Sequence, residues 1–127
     1  MVQRLLLVED HAVFRGALKF LLNLRPDMSV VAECGSLAGC RALGDRLRAI
    51  DLALLDLKLP DGDGTGLIAV LRGANPGVKV LVLTASIEPG LHERMAGAGA
   101  DGVLNKAVTL TEIVAAVGRL AGGEVRG

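Results

Sequence analysis

The chain has 127 residues, 51% of them apolar and 22% charged, with 14 Lys and Arg against 14 Asp and Glu. That length and apolar content suit one globular domain with a real core and leave no room for a second. The balanced charge, the lack of a basic run and the absence of Trp and Tyr exclude a broad nucleic-acid or membrane footprint and base-stacking on aromatic rings.

The first segment, RLLLVED, is a continuous apolar run of strand length that ends in acids. It meets charge too soon for a secretory leader, and no apolar stretch approaches the ~20 residues of a membrane span, so the expected location is the cytoplasm. HAVFRGALKFLLNL follows, with Val13, Phe14, Ala17, Leu18, Leu21 and Leu22 at helical spacing and Pro26 closing it. MSVVAEC reads as a strand and SLAGCRALGDRLRAI as a helix capped by Ser36 and weakened by Gly39 and Gly44. Cys34 and Cys40 in this stretch match neither a zinc spacing nor a disulfide scaffold and read as packing thiols.

The pattern repeats: DLALLDL as strand, then GTGLIAVLRGANP as a helix ended by Gly73 and Pro76. VKVLVLTA is the next strand and EPGLHERMAGAGA a short, glycine-interrupted helix with His92 on its solvated face. DGVLNK and TLTEIVAAVGRLAGG complete the series, the helix capped by Thr109 or Thr111 and stopped by paired glycines. Five strand-helix units of this kind predict an α/β fold. Strands apolar throughout are buried on both faces, so the sheet should be parallel, doubly wound, with helices on both faces. In the order 2-1-3-4-5 a ligand site lies beyond the carboxyl ends of strands one and three.

At those carboxyl ends stand Glu9 and Asp10, then Asp56, Thr84 and Lys106, in strands one, three, four and five. Three carboxylates close together repel, increasingly so as water is withdrawn, and require a positive partner. Lys106 supplies one charge, and a hard divalent cation such as Mg2+ suits a site with few protein ligands and retained waters. An aspartate beside a cation, faced by a hydroxyl and an ammonium, is equipped to attack phosphorus. Each residue alone has a plainer reading: a turn acid, a cap, a strand threonine, a snorkelling lysine. Their joint occurrence in order at strand ends is what favours a site. His11 reads as a first-turn residue facing the loop, and Gly62, Gly64 and Gly66 as a tight turn, since no Gly-Lys-Ser/Thr follows.

LLLVEDHAVFRGALKFLL, ALLDLKLPDGDGTGL, VLVLTAS and GAGADGVLNK together resemble, in order and over nearly the whole chain, the receiver domain of two-component response regulators. VEDHAVFR and GAGADG resemble more specifically the LuxR/NarL-type transcriptional branch. The resemblance implies a CheY-like, flavodoxin-like fold over residues 1–121, with 122–127 the start of a linker. It implies that Asp56 is the phosphoacceptor for a sensor histidine kinase and that Asp10, Asp56 and the Lys58 backbone carbonyl hold Mg2+, with Glu9 acting through water. It implies that Lys106 contacts the phosphoryl oxygens and that Thr84 moves to hydrogen-bond them. The expected output is a changed protein surface, with possible homodimerisation and with DNA reached only through a C-terminal helix-turn-helix domain absent from this chain.

Two positions depart from the family. The aromatic switch position is Val103, and the usual proline after the lysine is Ala107, where a cis bond would cost roughly 2.5–4 kcal/mol. A trans bond or a strained loop is therefore expected at Lys106–Ala107. Two alternatives stand beside a non-enzymatic phosphoacceptor. One is a haloacid-dehalogenase-like phosphatase, disfavoured because Lys58 occupies the position of a second aspartate; the other is an unresponsive receiver-like interaction module, which Val103 and Ala107 favour modestly.

Overall fold

Along the first strand, Leu5 and Leu7 pack into one apolar cluster while Leu6 and Val8 pack into another. The next central strand repeats the division, with Leu52 and Leu54 on the first side and Ala53 and Leu55 on the second. Period-two geometry places alternate side chains on opposite faces, and both faces are covered, so neither face tolerates polar residues.

The computed structural model describes residues 2–122. Its elements are β1 (Gln3–Val8), α1 (Ala12–Asn23), β2 (Met28–Cys34), α2 (Leu37–Arg41), a 3-10 helix (Gly44–Ala49), β3 (Leu52–Asp56), β4 (Lys58–Leu59), β5 (Gly62–Asp63), α3 (Gly66–Ala74), β6 (Lys79–Thr84), α4 (Leu91–Gly97), β7 (Gly102–Asn105) and α5 (Leu110–Ala121). The main sheet runs β2-β1-β3-β6-β7, every pair parallel. This is the predicted 2-1-3-4-5 order once the small antiparallel β4-β5 ribbon is set aside. Helices α1 and α5 cover the face of Leu5 and Leu7 through Leu18, Leu22, Ile113 and Val117. The 3-10 helix, α3 and α4 cover the other through Leu47, Leu67, Ile68, Leu71 and Met95. No helix among the described residues is long and apolar enough to cross a membrane.

Local chemistry sets the helix ends. Ser36 accepts from the Gly39 amide at 2.9 Å and opens α2. Thr109 and Glu112 form a reciprocal capping box on α5, Thr109 accepting from the Glu112 amide at 3.1 Å. The predicted linker lies, beyond Gly122, outside the described residues.

Two local expectations change. The predicted second helix breaks after Ala42, because Gly44 takes φ +53 and the chain continues as a 3-10 turn. Val13, at core spacing in the sequence, is 88% exposed; α1 buries only the stripe through Leu18 and Leu22. The glycine-rich stretch after Asp56 turns tightly, as expected, within the two-residue β4-β5 ribbon. The Lys106–Ala107 bond is trans, as every peptide bond among the described residues is.

Within that turn the Gly64 amide donates to the Leu57 carbonyl at 2.7 Å, and a Cβ on Gly64 would sit 2.6 Å from the Asp56 carbonyl oxygen. Gly66, two residues on, has open space around the same position. Gly64→Ala should therefore cost roughly 1–3 kcal/mol through backbone displacement, while Gly66→Ala should be neutral or slightly stabilising. Urea titration of the two variants checks this, and equal midpoints would contradict the crowding.

Candidate functional site

Four of the five strands of the sheet deliver polar residues to the carboxyl edge. Asp56 ends β3 and Thr84 ends β6, Glu9 and Asp10 follow β1, and Lys106 follows β7. Because β1 and β3 are neighbours while their following helices pass to opposite faces, the acids open onto a crevice between the crossovers.

Lys106 reaches across this crevice. Its Nζ donates to Asp56 Oδ2 at 3.2 Å and lies 2.8 Å from Glu9 Oε1. The Glu9 contact pairs the ammonium with the buried Oε1 of that side chain. Glu9 and Asp56 are 4% and 5% exposed, so the ammonium compensates two charges largely withdrawn from water. The Phe14 ring, one turn into α1, sits 4.8 Å beneath Nζ as a cation–π platform. Phe14 stands at helical spacing in the sequence, and nothing in that spacing marks it as a partner for a lysine 92 positions away.

The two buried acids are pushed apart in strength. Burial raises the Asp56 carboxyl above its ordinary value and the Glu9 charge adds to that rise, against the Lys58 amide and Lys106. For Glu9 burial also acts upward, but Lys106 and the amide and ring of His11 outweigh it, and the carboxyl is held below its usual value. Burial opposes the charge on Lys106, yet Glu9 and Asp56 more than offset it and the ammonium is held above the usual lysine value. Glu9 is thus the firmly ionised acid and Asp56 the more basic one.

The neighbouring backbone is tied down. The Lys58 amide donates to Asp56 Oδ1 at 3.1 Å, while the Lys58 side chain is exposed. Asp61, at the tip of the β4-β5 ribbon, accepts from the Leu37 and Ala38 amides at 2.8 and 3.0 Å, pinning the ribbon to α2. Arg15 donates to the Glu9 carbonyl. The sequence reading passed over Asp61 and Arg15, whose roles depend on contacts between distant elements.

Thr84 stands slightly apart. Its hydroxyl accepts from the Ser86 amide at 3.0 Å and it lines, with Lys58 and Leu91, a cleft of about 300 Å3 beside the acids. Val103 is half-buried against the cluster beneath α3 and α4. His92 is exposed on α4, and Cys34 and Cys40 are free, buried thiols.

Donor oxygens of Glu9, Asp10 and Asp56 and a ring nitrogen of His11 all lie within 4.8 Å of one another. Three carboxylates within reach of one point make a group that fits a cation held by carboxylates.

A doubly wound parallel sheet with an acid pair, a single aspartate, a hydroxyl and a lysine on its carboxyl edge defines a signalling receiver. The chain belongs to the response regulator receiver domain family, matched over residues 5–118. Receiver domains bind Mg2+ at an acidic pocket, and Glu9, Asp10 and Asp56 form an acidic cluster on this edge of the sheet. The chain is 37% identical over 118 residues to the transcriptional regulatory protein UhpA of Salmonella typhimurium, covering 92% of this chain and 58% of that one. It is 35% identical over 120 residues to the DNA-binding transcriptional activator DevR/DosR of Mycobacterium tuberculosis, covering 94% and 55%. The signal receiver domain of NarL from Mycobacterium tuberculosis superposes with a TM-score of 0.83 at 33% identity, covering 97% of this chain and 98% of that one. These relatives place the chain in the LuxR/NarL-type branch, and it spans just over half the length of the regulators it matches.

Proposed function

We propose that Asp56 accepts a phosphoryl group from a phosphohistidine of a sensor histidine kinase and thereby resets the surface around α4 and β7. The observation that carries this reading is the Lys106 ammonium set between Glu9 and Asp56, 2.8 and 3.2 Å away, in a crevice where Asp56 is the more basic acid.

An Asp56 carboxylate oxygen forms the new O–P bond as the donor's N–P bond breaks, and the departing imidazole takes its proton from solvent. Lys106 neutralises charge on the phosphoryl oxygens, and Phe14 keeps its ammonium over the crevice. The Lys58 amide orients the carboxylate through Oδ1. Asp10, Asp56 and the Lys58 carbonyl would hold Mg2+, with Glu9 at one remove through water; the bound ion supplies further charge neutralisation as transfer proceeds. Thr84, whose hydroxyl oxygen accepts from the Ser86 amide, then donates its O–H to a phosphoryl oxygen, drawing the β6-α4 loop inward. Val103 offers no ring to swing, so the coupling runs through Thr84 and this loop.

In this reading the chain is a phosphoacceptor rather than an enzyme, limited to self-phosphorylation and self-dephosphorylation. Residues 1–121 form the receiver, it works in the cytoplasm, and phosphorylation favours a homodimer that governs DNA binding by a C-terminal domain outside this chain. The relatives' status as transcriptional regulators supports that output.

Incubation with acetyl phosphate and Mg2+, followed by intact-mass and peptide mass spectrometry, tests the chemistry. One phosphoryl group per chain, on Asp56, is the expected result. Sustained turnover of a phosphomonoester would instead favour a phosphatase. A Mg2+-dependent change in elution volume with beryllofluoride is expected of a responsive receiver, and its absence would favour a constitutive interaction module.

A further inference from the structure

We infer that Arg15 is a positioning residue: its guanidinium, braced by Glu33, fixes the Glu9–Asp10 peptide and so sets where both acids point in the crevice. The inference rests on the reading of Asp56 as a phosphoacceptor served by Mg2+. Arg15 stands in the first turn of α1. Its Nη1 donates to the Glu9 carbonyl, and its Nε donates to Glu33 Oε1 at 3.2 Å. One rigid fork thus ties together three parts of the chain: α1, the end of β2 and the loop after β1.

Glu33 is itself held. Lys19, one turn further along α1, donates to Glu33 Oε2 at 2.6 Å. Lys19 first, and Arg15 after it, keep the Glu33 carboxyl below its usual value, so the brace is ionised at neutral pH. Gly35 leaves the guanidinium its room. A Cβ there would sit 3.2 Å from Arg15 Nη1, 3.5 Å from the Asp10 Cα and 3.6 Å from the Glu9 carbonyl oxygen.

A peptide unit is planar, so holding its oxygen fixes the plane that carries the Cα atoms of Glu9 and Asp10. The preceding peptide is held as well, because the Glu9 amide donates to the Cys34 carbonyl at 2.9 Å. Metal-binding groups that lose such supporting contacts typically lose about tenfold or more in affinity. Charge alone would act the other way, since deleting a cation beside carboxylates leaves a more negative site that attracts a divalent ion more strongly. The sign of the change therefore separates positioning from charge.

Wild type, Arg15→Ala, Arg15→Lys and Lys19→Ala would be titrated calorimetrically with MgCl2 in the absence of a phosphoryl donor. Initial rates of Asp56 phosphorylation by acetyl phosphate would be followed by mass spectrometry across Mg2+ concentrations, beside thermal melts. Arg15→Ala is expected to weaken Mg2+ binding about tenfold and to raise the Mg2+ concentration for half-maximal rate by the same factor. Its rate at saturating Mg2+ should stay within about threefold of wild type. Arg15→Lys keeps the charge but not the fork, and should weaken Mg2+ in the same direction. Lys19→Ala removes an equal charge from the same carboxylate and should leave Mg2+ binding within about twofold.

Unchanged or tighter Mg2+ binding in Arg15→Ala, even with a lower melting temperature, overturns the inference. So does an equal weakening in Lys19→Ala, or wild-type affinity in Arg15→Lys. Failure of wild type to bind Mg2+ or to take the phosphoryl group on Asp56 defeats the phosphoacceptor reading and this inference with it.

Discussion

Asp56→Asn is expected to fold normally and to lose phosphorylation altogether. The carboxamide is nearly isosteric and can still accept from the Lys58 amide, but it is no nucleophile at neutral pH. The two remaining acids of the cup, Glu9 and Asp10, do not replace it, because Glu9 is the more acidic carboxyl and is engaged by His11 and Lys106. Stability moves the other way. The Asp56 carboxyl is raised in the folded chain, so the native state binds this proton more tightly than the unfolded one does. Its favourable contribution is present at acid pH and is lost as pH rises through the folded value, and at neutral pH the ionised group opposes folding. Asparagine removes that opposition while Lys106 keeps Glu9 as its partner. The melting temperature at neutral pH should equal or exceed that of wild type, with any gain disappearing toward acid pH. Calorimetry across pH, beside mass spectrometry after acetyl phosphate, checks both halves. Undiminished modification at residue 56 would refute the assignment.

Lys106→Met should produce the largest loss of stability of any change at the site. It leaves Glu9 and Asp56 facing each other in a crevice that excludes most water, with no cation between them. Removing one partner of such a group costs roughly 3 kcal/mol, since the lysine side chain is 16% exposed and the cost lies near the lower end for buried pairs. For a domain of this size that is about 10 °C in melting temperature. The pH dependence follows from directions already described. Glu9 is held low in the folded chain, so its contribution is present above the ordinary carboxylate range and is lost as pH falls. Lys106 is held high, so its contribution is present below the ordinary lysine value and is lost as pH rises through the folded value. The gap between wild type and Lys106→Met should be widest between those limits, narrow as pH falls toward 4 and the acids protonate, and narrow on adding Mg2+ at neutral pH. A deficit independent of both pH and Mg2+ would mean that the methionine simply packs badly.

The continuous apolar runs of β1, β3 and β6 determine by themselves that the sheet is parallel and covered on both sides, because a strand with one wet face would alternate. From that topology, Glu9, Asp10, Asp56, Thr84 and Lys106 had to share one edge, and that convergence was legible in the sequence. What the tertiary structure alone decided are relations across elements. Spacing marks Val13 and Leu18 alike as apolar, yet only the placement of α1 on the sheet buries Leu18 and leaves Val13 exposed. Phe14 beneath Lys106, Asp61 on the α2 amides and the His11 ring against Glu9 join residues whose proximity no local pattern encodes. Backbone periodicity is a property of neighbours in sequence, whereas charge compensation and the turning of a side chain are settled by the packed surroundings that decide where water is excluded.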